Sequence, residues 1–229
     1  MKKLLFIALV LTATMASAQY TEYLASDRPG QALSSSTVGE KVFQVQTGID
    51  FTESTSEFYP SSYFRYGFSE RFEVNSGFVL SGDTFGGDLE SFTVGARYNL
   101  SKKENKVQSS LQLSHDLGSS ISSTQLIYIL SSSFSEKLGY TVNLGLHLND
   151  NLGFDNGIYI FNLSYAFNDK VGVFAETYGT FSNNSFQMNF DAGVYYLLNN
   201  NLQLDALIGK NEGFFGGAGV TWRIPTQKK

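Results

Sequence analysis

Leu138-Gly139-Tyr140-Thr141-Val142-Asn143-Leu144-Gly145-Leu146-His147-Leu148 is the stretch that decides the fold. Leu138, Tyr140, Val142, Leu144, Leu146 and Leu148 take alternate positions, and Gly139, Thr141, Asn143, Gly145 and His147 fill the places between them. Successive side chains of a strand point to opposite faces, so this run has one apolar and one polar side and no helical period.

The same alternation recurs along the chain. In 41–51, Phe43, Val45, Thr47, Ile49 and Phe51 oppose Gln44, Gln46, Gly48 and Asp50. In 185–198, Phe186, Met188, Phe190, Ala192, Val194, Tyr196 and Leu198 share one side, against Gln187, Asn189, Asp191, Gly193 and Tyr195. Residues 92–100, 107–115, 158–167, 202–209 and 214–224 follow suit, while 63–68 and 171–178 alternate least clearly. The pattern predicts twelve strands, or ten without the two weakest.

Connections add a second regularity. Tight polar turns fall at 69–71, 101–106, 135–137, 168–170 and 199–201, and their centres (Glu70, Glu104, Glu136, Asp169, Asn200) are spaced by 34, 32, 33 and 31. Softer connections rich in Gly, Ser and Asn lie between them at 52–61, 81–89, 116–122, 149–156, 180–184 and 210–213. A period near 32 of strand, loop, strand and tight turn is a β-hairpin repeat. An even strand number brings both chain ends to the side of the tight turns, as in bacterial barrels with short periplasmic turns.

Alternation alone also fits a soluble sandwich. Two features favour a membrane. Tyr66, Phe68, Phe72, Tyr98, Phe134, Tyr165, Phe167, Tyr196 and Trp222 crowd beside the tight turns, as an interfacial girdle would. Nearly all strand charges fall on the polar face, sparing the lipid side a cost of about 2–4 kcal/mol for each basic residue near the midplane. The fold expected is all-β: a transmembrane antiparallel up-and-down β-barrel, its first strand near Phe43 paired with its last near Val220, because hydrocarbon offers no partner to an open edge.

The ends and the composition agree with export. Lys2 and Lys3, the apolar run 4–11 and Ala16-Ser17-Ala18 read as a signal peptide over residues 1–18, with Gln19 as the mature start. The alternative, a retained single span, is disfavoured by the short apolar stretch. The chain has no cysteine, which excludes disulfides and a lipidated cleavage site. Without the two leader lysines it carries 14 basic against 21 acidic residues, an unsuitable balance for nucleic acid. Apart from the leader no apolar run is long enough for a helical span, and 20 Phe and 13 Tyr with 22 Gly and only 3 Pro suit barrel strands. The organisation expected is a signal at 1–18, a periplasmic or luminal segment at 19–40, the barrel at 41–225 and a polar tail at 226–229. The segment 19–40 either plugs the lumen or hangs in the periplasm. Location in the outer membrane of a Gram-negative cell makes outer-membrane lipid, the barrel-insertion machinery and small-molecule solutes the expected partners.

Several motifs carry a family resemblance. They are Ser26-Asp27-Arg28-Pro29-Gly30-Gln31, Ser34-Ser35-Ser36-Thr37-Val38, Phe43-Gln44-Val45-Gln46-Thr47-Gly48 and Phe64-Arg65-Tyr66-Gly67-Phe68-Ser69-Glu70-Arg71-Phe72-Glu73. Over roughly residues 26–80 the chain resembles a family of outer-membrane transporters named after the MetA pathway of phenol degradation and common in Bacteroidetes-like bacteria. The resemblance implies a twelve-stranded barrel with a transport role. The chain departs from many barrels in closing on Trp222-Arg223-Ile224-Pro225 and a polar tail rather than on an aromatic residue.

The register aims Asp50, Arg65, Glu73, Arg97, His147, Glu176, Asp191, Asp205 and Arg223 into the lumen. Three arginines facing five carboxylates either fill and lock the barrel or line a narrow, slightly cation-favouring pore. For catalysis only His115 and His147 are present, and no spacing singles out a nucleophile beside them. Asp83 and Asp88 with Gly86 and Gly87, and Asp150 and Asp155 with Asn151 and Asn156, offer oxygen ligands but lack ordered calcium spacing. No catalytic, metal or cofactor site is therefore assigned. The functions that remain are a channel or transporter for small molecules, with aromatic or hydrophobic solutes as candidates, a closed structural or adhesive barrel acting through its external loops, and, weakest, a barrel hydrolase. Phe58-Tyr59 and Phe214-Phe215 are the aromatic pairs that stand out near loops.

Overall fold

In a computed structural model, residues 24–82, 87–102, 104–118 and 122–226 are described. The leader, residues 19–23, Asp83, Gly86 and most of the tail lie outside them. The strands are β1 (Val42–Thr52), β2 (Glu57–Gly67), β3 (Phe72–Ser81), β4 (Asp88–Asn99), β5 (Gln108–Asp116), β6 (Ser123–Ser133), β7 (Leu138–Leu148), β8 (Phe154–Ala166), β9 (Val171–Ser182), β10 (Ser185–Phe186), β11 (Asn189–Asn199), β12 (Leu202–Lys210) and β13 (Phe214–Pro225).

Each long strand pairs antiparallel with the next, and β1 closes on β13 from Val42↔Pro225 through Thr47↔Val220 to Thr52↔Phe215. The two-residue β10 only extends the β9 hairpin through Ser185↔Ser182 and Phe186↔Phe181, so the barrel has twelve staves. The five tight turns lie where the spacing predicts them.

Two differences have local causes. The alternating run 185–198 is not one strand, because the ladder breaks at Gln187 and Met188. Gln187 N–H donates to Thr180 O (2.9 Å) and its carbonyl accepts from the Tyr159 hydroxyl (2.9 Å), a close approach that Gly179, without a Cβ, leaves room for. The soft connections are also shorter than expected. Strand β2 already begins at Glu57, since Phe58 pairs with Phe51 and their rings meet at 5.2 Å. Likewise β8 begins at Phe154, taking Asn156 into the ladder and leaving Asp155 in a bulge.

The packing is inside out. Among the side chains turned inward and buried are Gln44, Gln46, Asn75, Ser110, Gln112, Asn143, Gln203 and Thr221, whereas Leu113, Leu144, Leu146, Phe161, Leu163 and Val194 are exposed on the outside. The tight-turn aromatics stand outward, with Phe68, Tyr98, Phe134, Phe167, Tyr196 and Trp222 all exposed. Several touch as neighbours, Tyr66 with Phe68 at 4.9 Å and Tyr165 with Phe167 at 5.2 Å. A second level, not anticipated from the sequence, lies at the opposite end, where Phe51, Phe92, Phe154, Phe186 and Phe214 are exposed. An eleven-residue strand at ordinary barrel tilt rises about 25 Å, the height of the apolar band of such barrels. Apolar outer staves between two aromatic levels match a bilayer.

Candidate functional site in the lumen

The structure turns all nine expected luminal side chains inward but does not gather them into one cluster. Arg65, Glu73 and Arg97 meet on adjacent strands β2, β3 and β4, all 0% exposed. Arg65 donates Nε–H and Nη2–H to the two Glu73 oxygens (2.8 and 3.0 Å), and Glu73 faces Arg97 directly across the ladder. Glu176 and Asp191 are cross-strand neighbours on β9 and β11. Asp205 on β12 and Asp50 on β1 flank β13, where Arg223 lies opposite Gln44. His147 stands apart at the far rim, 3.9 Å from Asp155. One feature escaped the sequence reading, an inward apolar patch of Ile127, Ile129 and Ile160. The segment before β1, expected either in the lumen or in the periplasm, lies inside the barrel over residues 24–40.

This segment, here called the strap, travels around the inner wall. Ala25 O accepts from Gln44 Nε2 (2.8 Å) and Ser26 bonds Thr221 (2.8 Å). The Gln31 and Ala32 amides donate to Glu176 (2.6 and 3.2 Å), and Leu33 exchanges two bonds with Asn143 (2.7 and 3.2 Å). Ser35 O accepts from Asn99 (3.0 Å), Ser36 O from Arg65 (2.9 Å) and Arg97 (3.3 Å), and Val38 N–H donates to Glu73 (2.8 Å). The wall's polar face thus pairs the backbone of the strap, whose amides and carbonyls would otherwise be buried without partners.

Asp27 and Arg28 form its charged centre. Arg97 grips the Asp27 carboxylate as a fork, Nη1 to Oδ1 at 3.1 Å and Nη2 to Oδ2 at 2.9 Å. Arg65 Nη1 adds an ion pair at 3.3 Å, and the Ser34 amide donates to Oδ1 (2.7 Å). Burial pushes the Asp27 carboxyl up, but Arg65 and Arg97 outweigh it and hold it below the usual carboxylate range. Arg28 turns the other way. Its Nε–H donates to Asp205 Oδ1 (3.2 Å), and its guanidinium lies over Gly48 and Gly219, which are cross-strand partners. A Cβ at either glycine would overlap the guanidinium, so the slot depends on two missing side chains. The motifs behind the family resemblance are therefore the strap and its receptors: Asp27, Arg28, Gly48, Arg65 and Glu73.

Beside the strap, on the tight-turn side, is a cavity of about 1010 Å³. Thr141, Asn162, Ser164 and Gln203 line it together with Phe174 and Tyr195. A second cavity of about 570 Å³ lies at the other mouth between Thr55, Tyr59, Gln187 and Asn211. Among the described residues the histidines assemble no triad. His115 points to the outer face and bonds two hydroxyls, Thr124 through Nδ1 (3.0 Å) and Ser122 through Nε2 (3.1 Å), so a hydroxyl stands where a triad holds a carboxylate. Among the described residues no three His, Cys, Asp or Glu side chains gather as metal ligands.

A family model described as "Putative MetA-pathway of phenol degradation" matches residues 26–224. No curated protein sequence matches the chain. Solved structures do. The KdgM porin is 12% identical with a TM-score of 0.67, over 78% of this chain and 98% of its own; it has also been solved in complex with disordered oligogalacturonate. The NanC porin is 7% identical with a TM-score of 0.62, over 79% and 100%. The outer membrane protein Omp33 of Acinetobacter baumannii is 12% identical with a TM-score of 0.50, over 81% and 99%. At these identities the likeness is one of fold, that of the outer-membrane barrel.

Proposed function

The chain belongs to the family of the MetA pathway of phenol degradation, and on that premise we propose that it is a narrow outer-membrane channel for small solutes, closed at rest by the strap of residues 24–40. One observation carries this reading. The wall's buried charged and amide groups make many of their bonds to the strap as well as to each other, and the strap is joined to the wall mainly by hydrogen bonds and ion pairs, with Pro29 and Val38 its buried apolar side chains. Polar contacts of this kind exchange readily for water, whereas a plug packed by apolar burial would not. Twelve staves enclose more than the filled interior of an eight-stranded barrel and less than a wide porin channel. The cavity beside the strap, with Phe174 and Tyr195 among amides and hydroxyls, supports small polar solutes, aromatic ones included. We assign the protein no covalent chemistry; the hydroxyl partners of His115 support that.

A second reading, a closed structural barrel acting through its loops, draws on the number of strap–wall bonds. Planar-bilayer recordings separate the two. The refolded mature protein and its Asp27→Asn, Arg28→Gln variant are each reconstituted, with heat-modifiable gel migration as the check on folding. Discrete openings, rare in the parent and frequent in the variant, are expected. Silence from both correctly folded proteins refutes the channel.

A further inference from the structure

We propose that Asp27 and Arg28 occupy the binding site of the transported solute, and that this solute is a small zwitterion with a carboxylate at one end and a cationic nitrogen at the other. The inference rests on the channel reading above, with the strap as its displaceable closure.

The carboxylate half of the site is the Arg65–Arg97 pair. Both guanidiniums are fully buried in the wall, and both aim nitrogens at one carboxylate, that of Asp27. Their other edges are already committed, Arg65 to Glu73 and Arg97 Nε to Gln112 (3.1 Å). With the strap lifted, two arginines and Glu73 leave one positive charge and an open fork, the geometry that selects a planar carboxylate.

The cation half lies on β12, β13 and β1, the staves next to β2 along the same wall. Asp205 holds the Arg28 guanidinium, and Asp50 stands one inward position beyond Gly48, its Oδ1 buried and without a hydrogen-bond partner. Gly48, Gly217 and Gly219 clear side chains from this stretch of wall. With Arg28 withdrawn, two carboxylates face a glycine-lined recess sized for a cationic group.

Neither half is complete without the strap, and the strap completes both with two adjacent residues of opposite charge. A neutral solute would satisfy neither half, and a singly charged one would leave the opposite charge stranded in a desolvated wall. A zwitterion reproduces both contacts. Because solute and strap then compete for the same atoms, solute binding shifts the barrel toward its open form.

The test uses three probes of one shape: 4-(aminomethyl)benzoate, 4-methylbenzoate and 4-methylbenzylamine. They are titrated calorimetrically against the full-length Asp27→Asn, Arg28→Gln protein in detergent. The zwitterion is expected to bind about tenfold more tightly than either single-ended probe, the factor expected from one charge-assisted contact. Adding Arg97→Gln should reduce it to the affinity of the amine. Equal binding of all three probes, or none, overturns the proposal. A second measurement needs no disruption of the strap. Ser35, 3% exposed, becomes the chain's single cysteine in Ser35→Cys, and maleimide labelling reports strap release. The zwitterion should speed labelling about tenfold over the other two probes; equal rates overturn the proposal. Binding and conductance fail separately. A silent barrel that prefers the zwitterion sinks the channel and keeps the site, and an open channel without preference does the reverse.

Discussion

Asp27→Asn is the sharpest test of the strap as a gate. The substitution keeps the size of the side chain and one carbonyl acceptor but removes the charge that Arg97 grips at 2.9 and 3.1 Å and Arg65 meets at 3.3 Å. Asp27 is only 7% exposed on its side chain, so solvent screening reduces these contacts little. Hydrogen bonds to charged groups contribute about 1.5–3 kcal/mol each. Breaking a buried pair outright would cost about 3–5 kcal/mol, but the arginines regain water once the strap leaves, and this lowers the difference between docked and released states. A loss of about 3 kcal/mol follows, a shift of about 150-fold in the docking equilibrium. A gate released about 1% of the time would then be released more than half the time. Single-channel open probability at neutral pH reads this directly, with Glu57→Gln at the outer rim as a control for general charge effects. If Asp27→Asn leaves open probability within threefold of the parent, the Asp27 fork does not hold the gate.

Acid should mimic that substitution. Asp27 is surrounded by Arg65, Arg97, Glu73 and Tyr63, and its carboxyl is held below the ordinary value, so its share of strap docking is present above about pH 4 and is lost as pH falls through the depressed value. The parent should therefore show steady conductance from pH 7 to 5 and open more at about pH 3, with the Asp27→Asn channel showing a smaller change; an equal response in both would assign the acid effect elsewhere. Gly48→Val fills the slot beneath Arg28 and should raise open probability in the parent but not in Arg28→Gln; an effect of equal size in both would refute the slot. On the outer face, Leu113→Arg places a charge where a 53% exposed leucine meets lipid, and should cost about 2–4 kcal/mol in urea unfolding from vesicles. An unchanged midpoint would show that this face is not in the bilayer.

The barrel was legible because lipid imposes a one-residue alphabet on each face. Leu138 to Leu148 alternate without exception, and a slip of one residue would put His147 and Asn143 into hydrocarbon, so pattern and register are the same information. Where the constraint weakens, so does the reading. Residues 57–62 face Thr47 to Thr52 with few apolar side chains and were legible only as a connection. The break at Gln187 depends on Gly179, a contact between hairpin arms that no local pattern records. The strap was the least legible part. Its bonds run from backbone amides to side chains as much as 145 residues away, as from Gln31 to Glu176, and a segment without regular structure carries no period to reveal them. The luminal charges could be named one by one, but their pairing could not, since half of the partners lie on the strap.

That division of partners bears on which function the wall was built for. A lumen meant only to be shut could pair Asp205 and Asp50 with arginines of the wall itself, placed on the staves beside them. Instead Arg97 leans on Asp27 as well as on Gln112 and Glu73, and Asp205 leans on Arg28. Leaving buried charges to be completed by a removable segment costs stability in the released state and gains nothing for a permanent scaffold. It is useful where a second partner takes the segment's place. Staves fixed by their own ladder bonds keep the barrel closed on itself whether the strap is docked or not, since none of the β1–β13 pairs from Val42 to Thr52 passes through it. The wall can thus remain rigid while its contents exchange, the division of labour that a selective channel needs.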